Sequence, residues 1–395
     1  MRSLSNTRLL SFTYLLLAAN LLVPIEAPYL SSLGCSTAQI SLLNLSVPFL
    51  CAILEIPTGL FGDWVGRKRT VLLSVGSALL STFLLLEARS FFGLLVAYFF
   101  EAAGVSFFSG NTEAFVIEDS KRRSQDVNRN LSLFFSALTL GAIFAGVLSS
   151  GAIVSGGTGD LRAPLVLMAV LRGVAVPVSL LLTPTPRDKG NPSPTAMLSQ
   201  ALKLTRERFT LLVILFEGLG RLSFYLPIIM QLFLLRTGVD VEALGVIFSL
   251  LLVIQYFFQR RTHVIIERFG RRVVLNGTTL IIVAGLLLML LSHAVPIVLG
   301  MLLVQIVGPL RFQCLSLVKN EVVNDEIRAT YLSSISLCVL MFNSTFLALI
   351  GWLVEQQAAL GLIVLAASVA AGLLLTPSIL ESQKLHLKER LHADA

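Results

Sequence analysis

Six ionisable residues sit inside stretches that are otherwise apolar: Glu26, Glu101, Arg172, Glu217, Arg221 and Arg311. A charge near mid-bilayer costs about 2.5–3.5 kcal/mol on insertion scales, so each needs a partner, water or a task. A carboxyl group in such surroundings has its charged form disfavoured by desolvation and can exchange a proton. Glu101 and Glu26 are therefore the candidates for proton coupling. Guanidinium groups bind carboxylate and phosphate through paired hydrogen bonds, so Arg221 and Arg311 are candidates for holding an anionic ligand. Glu217 stands four residues before Arg221 on the same helical face, where the two either satisfy each other or share the binding site. Glu101 has its own alternative, a structural ion pair with an arginine such as Arg172. Glu26, between Pro24 and Pro28, either couples a proton or faces water.

Other chemistries find no constellation. Cys35, Cys51, Cys314 and Cys338 are scattered, and His263, His293, His386 and His392 form no metal-ligand spacing. There is no phosphate-cradling loop and no setting for a nucleophile, so the sequence reads as having no catalytic residue, metal site or cofactor.

The elements that must position the six charges follow from composition. Of 395 residues, 55% are hydrophobic and 13% charged, against about 25% charged in a soluble domain. A bilayer-crossing helix needs about 20 apolar residues. Such runs predict helices near 9–30, 40–62, 70–87, 92–114, 131–155, 164–184, 210–235, 243–262, 272–293, 296–317, 330–355 and 359–380. The alternation of a closed barrel is absent, so the fold class is all-α integral membrane. The first segment follows Arg2 and Arg8 as in a signal peptide, but its run is too long and lacks a small-residue cleavage site, so it reads as a retained helix.

Lys and Arg in the loops set the orientation. One side would hold only Arg89, Arg162 and Arg236. The other would hold Arg67–Arg69, Lys121–Arg123, the basic residues of the central and 260–272 loops, and Lys319 and Arg328. Both termini are therefore expected in the cytoplasm, and the formal charge of +7 reads as a topology signal rather than a nucleic-acid footprint. The expected organisation is a six-helix bundle over 1–184, a cytoplasmic loop over 185–209, a second bundle over 210–380 and a tail over 381–395. Within the loop, TAMLSQALKLTRER has the pattern of an amphipathic helix on the membrane surface.

The two halves repeat a motif. Gly62-Asp63-Trp64-Val65-Gly66-Arg67-Lys68-Arg69 follows the second segment, and Ile266-Glu267-Arg268-Phe269-Gly270-Arg271-Arg272 follows the eighth. The first copy, within EIPTGLFGDWVGRKRTVLL, resembles the loop motif between the second and third helices of the major facilitator superfamily. It supplies Gly59, Asp63, Gly66, Arg67 and Lys68, with Phe61 where leucine is frequent. Ser109-Gly110 with Glu113-Ala114, and the run Ile327–Thr330, resemble one bacterial efflux-like branch.

That resemblance implies two pseudo-symmetric six-helix bundles and a proton-coupled secondary carrier with alternating access. Gly59, Asp63, Gly66, Arg67 and Lys68 would form a conformational latch, with Asp63 at the N-terminus of the eleventh helix and Arg67 pairing with nearby acids. The first, fourth, seventh and tenth helices would line the path, and Glu26, Glu101, Glu217, Arg221 and Arg311 fall on them. Two departures stand out: Phe100 occupies the place of a helix-4 arginine common in proton antiporters, and the helix-5 antiporter motif keeps its small residues (Gly141, Ala145, Gly146, Ser149, Ser150) without the proline. The expected function is export of a small amphipathic or anionic compound, such as a drug or siderophore-like metabolite, by a monomer in the bacterial inner membrane. Its partners would be substrate, protons and lipid. Uptake on the same fold is the alternative.

Overall fold

The computed structural model describes residues 5–109, 111–157, 159–184, 207–259, 261–322 and 328–393. The proposed surface helix within 185–206 lies outside the described residues, as do Gly110, Ile327 and the side chains of Gly59, Asp63 and Glu113.

Among the described residues the chain is helix after helix: α1 (Asn6–Ala18), α2 (Glu26–Ser32), α3 (Thr37–Val65), α4 (Arg67–Glu87), α5 (Phe91–Phe108), α6 (Asn111–Arg122), α7 (Val127–Ser155) and α8 (Ala163–Leu180). It continues as α9 (Arg208–Arg236), α10 (Val241–Gln259), α11 (Thr262–Leu288), α12 (Ala294–Asn320), α13 (Arg328–Gln356), α14 (Ala358–Ala370) and α15 (Gly372–Ala393). Ten stretches are long and apolar enough to cross a membrane among the described residues. The other two predicted segments, 210–235 and 330–355, are helical as α9 and α13.

Three predicted segments differ in their interiors. The first breaks after Ala18 and passes through a single 3₁₀ turn at Val23–Ile25 before α2. Pro24 has no N–H to give an α-helix, and the Asn20 side chain accepts the Leu22 N–H at 3.2 Å in place of a helical carbonyl. Glu26 consequently opens a new helix. The fourth segment ends at Ser109, whose ψ of 133° leaves the helical region, and resumes as α6. The last is interrupted only at Ala371, which keeps helical angles, so a single apolar stretch runs from Ala358 to Leu385.

Positive backbone angles punctuate both copies of the motif. Gly66 has φ +97° between α3 and α4, and Gly270 has φ +75° within α11. L-residues rarely adopt such angles, so the glycine before each arginine is what lets the chain turn there.

The chain divides into two compact units, Met1–Lys189 with Val239–Leu252, and Gly190–Gly238 with Val253–Ala395. The first is packed around Leu10, Tyr14, Val71, Val75, Phe115, Phe134 and Ala175. The second is packed around Phe209, Phe216, Leu275, Cys314, Leu315, Tyr331, Val339 and Ile379. Large apolar side chains such as Phe92, Val295 and Leu374 point outward at 73%, 68% and 80% exposure, as lipid-facing residues do. Apolar burial gains little when the solvent is itself hydrocarbon, so small residues that let backbones meet become the glue. At Gly104 an added Cβ would stand 3.1 Å from the Ser74 carbonyl oxygen, and Ser74 Oγ donates to the Gly104 carbonyl at 2.8 Å. The small residues of α7 act likewise: Gly146 faces Gly245, Ser249 Oγ donates to the Ile143 carbonyl at 2.6 Å, and Ser150 donates to the Glu242 carbonyl. These contacts seat the first part of α10 in the first unit.

Candidate functional site

In the first unit, α5 carries Glu101 and α8 carries Arg172, and the two meet fork to fork. Arg172 Nη1 lies 2.7 Å from Glu101 Oε2, and Nη2 lies 2.7 Å from Oε1. Nη1 also donates to the Ala78 carbonyl at 2.7 Å and to Thr82 Oγ1 at 2.8 Å. Asn20, from the break after α1, donates to Glu101 Oε1 at 3.3 Å. Arg172 is 1% exposed. Between the two roles open for Glu101, the geometry is that of a structural ion pair.

Glu26 is different. It is buried at the start of α2, accepts a hydrogen bond from the Tyr98 hydroxyl and has no ion-pair partner among the described residues. Tyr98 sits three residues before Glu101 on α5, so one helix face serves both acids. Sequence reasoning missed Tyr98, whose only signal was this spacing. Tyr14 packs in the core against Phe108 and Phe134.

At the end of the first unit where α3 meets α4, Arg67 Nε donates to Glu118 Oε1 at 3.2 Å, and Lys68 Nζ donates to the Leu180 carbonyl at 2.8 Å. Beside them Asp119, fully buried, accepts from Asn6, Arg122 and Arg123 at 3.0–3.2 Å. Asn6 in turn binds both backbone groups of Thr183. Glu118 and Asp119 were not singled out in the sequence. They lie beyond the predicted apolar segment, and only α6 brings them back.

The second unit contains a cavity of about 370 Å³ lined by Glu217, Arg221, Gln255, Gln305, Arg311 and Phe312, among others. Glu217 Oε1 stands 2.9 Å from Arg221 Nη2. Its other oxygen accepts from Lys319 Nζ at 2.8 Å. Lys319, expected in a loop, is instead inside α12 and only 4% exposed; α12 runs past the predicted boundary because the ion pair neutralises the charge that suggested an end. Arg311 donates to Thr279 Oγ1 and, at 3.3 Å, to the Phe216 carbonyl, and stacks 4.0 Å from the centre of the Phe216 ring. Gly220 leaves room for it: a Cβ there would stand 2.7 Å from Arg311 Nη2. The site thus offers guanidinium and amide groups beside the apolar face of Phe312.

The sequence profile of the Major Facilitator Superfamily matches residues 9–262. The chain belongs to the major facilitator superfamily. This transporter fold recurs in solved structures of low identity. A mutant of the nucleoside transporter NupG superposes with a TM-score of 0.82 at 16% identity, covering 95% of this chain and 98% of that one. The D-xylose–proton symporter gives 0.71 at 12% identity, with 94% and 96% covered. A bacterial homologue of the human lysosomal transporter Spinster, inward-facing and unoccupied, gives 0.68 at 16% identity, with 97% and 95% covered. No curated protein sequence matches the chain. The superfamily member is a multi-pass membrane transporter, not an enzyme.

Proposed function

We propose that this transporter is a proton-coupled secondary carrier that works by alternating access as a monomer in a bacterial inner membrane, with both termini cytoplasmic. Its substrate is a small amphipathic organic compound bearing an anionic group. The observation that carries this reading is the cavity of the second unit, where Arg221 and Arg311 offer forked donors beside the Phe312 ring. Guanidinium forks match carboxylate and phosphate, and the aromatic wall suits an apolar body.

Coupling is assigned to Glu26 rather than Glu101. Glu101 is neutralised by Arg172, whereas Glu26 is buried against a neutral hydroxyl. A lone carboxylate away from water is costly unless protonated, so its protonation can report which side of the membrane it faces. Gly59, Asp63, Gly66, Arg67 and Lys68 are proposed as the latch that opens and closes with each cycle.

Export is supported by the likeness of the fourth segment and of Ile327–Thr330 to an efflux-like branch. Uptake is supported by a different observation, the structural likeness to a D-xylose–proton symporter. Vesicles with the outer face toward the acid side distinguish them. Proton antiport drives a labelled substrate toward the acid side, and symport drives it toward the alkaline side. Accumulation indifferent to the pH difference would remove proton coupling altogether.

A further inference from the structure

Lys319 draws attention because it is buried where its charge is costly. It shares Glu217 with Arg221, at 2.8 Å and 2.9 Å. Arg311 lies in the cavity wall, donating to Thr279 and to the Phe216 carbonyl, with no ion-pair partner among the described residues. The charged groups facing Glu217 are therefore Arg221 on its own helix and Lys319 and Arg311 from α12. Among the described residues of α13, α14 and α15, no charged group pairs with it. Two cations share one carboxylate and a third stands in the cavity wall, and cations withdrawn from water need compensation by opposite charge.

We propose that Glu217 is an internal counter-ion standing in for the substrate's anionic group, that Lys319 is a latent anion-binding residue, and that anion binding is linked to protonation of Glu217. This rests on the reading of the substrate as an anion. An arriving carboxylate or phosphate takes over from Glu217 the ion pair with Arg221 and the hydrogen bond from Lys319. Glu217, released beside a second anion, accepts a proton from hydronium, which leaves as water. No covalent bond of the substrate changes. The linkage is reciprocal, so protonation of Glu217 frees the cations and favours the anion in equal measure. Phe312 assists the exchange: its ring centre lies 5.6 Å from Arg221 Cζ and 5.6 Å from Lys319 Nζ, and its face attracts both cations as Glu217 lets go.

Calorimetric titration of the full-length protein with benzoate, phthalate and phenyl phosphate, in two buffers of different ionisation enthalpy, reads both affinity and protons taken up. At least one probe should bind with uptake of about one proton. Glu217→Gln should bind that probe about tenfold tighter, with no proton uptake, and Lys319→Gln about tenfold weaker. Binding without proton uptake, or weaker binding by Glu217→Gln, overturns the inference and leaves the anionic substrate standing. No binding by any of the three probes overturns both. Where Glu217→Gln yields no folded protein, the proton count of the wild type and the affinity of Lys319→Gln decide.

Discussion

Arg271 holds Glu321 with both ends of its guanidinium, at 2.6 Å and 2.5 Å. Gln383 adds a third contact, donating to Glu321 Oε2 at 2.8 Å. The first unit has the counterpart in Arg67 and Glu118 at 3.2 Å. In each unit the arginine follows a glycine of positive φ, and the acid lies about fifty positions onward, 51 in the first and 50 in the second. The repeat visible in the sequence as glycine followed by arginine is thus a repeat of ion pairs.

Acid should weaken the Arg271–Glu321 contact in a defined direction. The arginine holds the Glu321 carboxyl below its ordinary value. Its contribution is therefore complete above the unfolded carboxylate value of about 4.3, and is lost as pH falls through the lower folded value. The pair is partly exposed, so the loss is at most about 1 kcal/mol. Melting of detergent-solubilised protein across that range should fall more steeply for wild type than for Arg271→Gln. Parallel curves would mean the contact contributes nothing.

The Glu101–Arg172 pair makes a sharper prediction. Removing one partner of a fully buried pair costs about 3–5 kcal/mol, because the other charge is left uncompensated, and the partial exposure of Glu101 makes that an upper bound here. Glu101→Gln and Arg172→Gln should each destabilise severely, and the double variant should recover much of the loss, read as folded yield and melting temperature. A Glu101→Gln protein that folds normally yet loses proton-driven accumulation would return the coupling role to Glu101.

Glu26→Gln resembles the protonated acid in shape and charge. It should abolish accumulation driven by a pH difference while preserving substrate binding and downhill exchange in vesicles. Tyr98→Phe removes the hydroxyl that Glu26 accepts from and should displace the pH profile of transport without abolishing it. Uphill transport by Glu26→Gln at wild-type rates would place the coupling proton elsewhere.

Gly220→Ala tests how Arg311 is held. The new methyl would stand 2.7 Å from Nη2 and 2.8 Å from Nε of Arg311, so the end of that side chain must leave its place over Phe216. Binding of an anionic substrate should weaken by roughly 1.5–3 kcal/mol, as expected for loss of a hydrogen bond to a charged group, and Arg311→Gln should match it. Folded yield should be close to normal, because the displaced atoms are the far end of a long side chain. Equal affinity in wild type and Gly220→Ala would mean Arg311 does not touch the substrate.

Much of the candidate site is legible in the sequence because lipid punishes charge. Glu26, Glu101, Arg172, Glu217, Arg221 and Arg311 stood out only by lying in apolar runs, and the Glu217–Arg221 pair followed from helical spacing. Lys319 escaped notice because it lies near the end of its apolar run, where a lysine usually marks a loop. Glu118 and Asp119 escaped because they lie past the end of the fourth apolar run, on a helix too polar on average to read as a membrane span.

The sequence by itself determined the class of solvent, the helices and the repeat. Each of these depends on local properties: the length of an apolar run, the N–H missing from Pro24, the positive φ open to Gly66 and Gly270. Only the tertiary structure decided which charges are spent on each other. Arg172 finds Glu101 across 71 positions, and Lys319 finds Glu217 across 102. An ion pair over such a separation depends on which helices pack side by side and on the rotation of each about its axis. Helix rotation in a membrane is set by the contact of small residues such as Gly104 against α4, and no periodicity along a uniformly apolar helix encodes it.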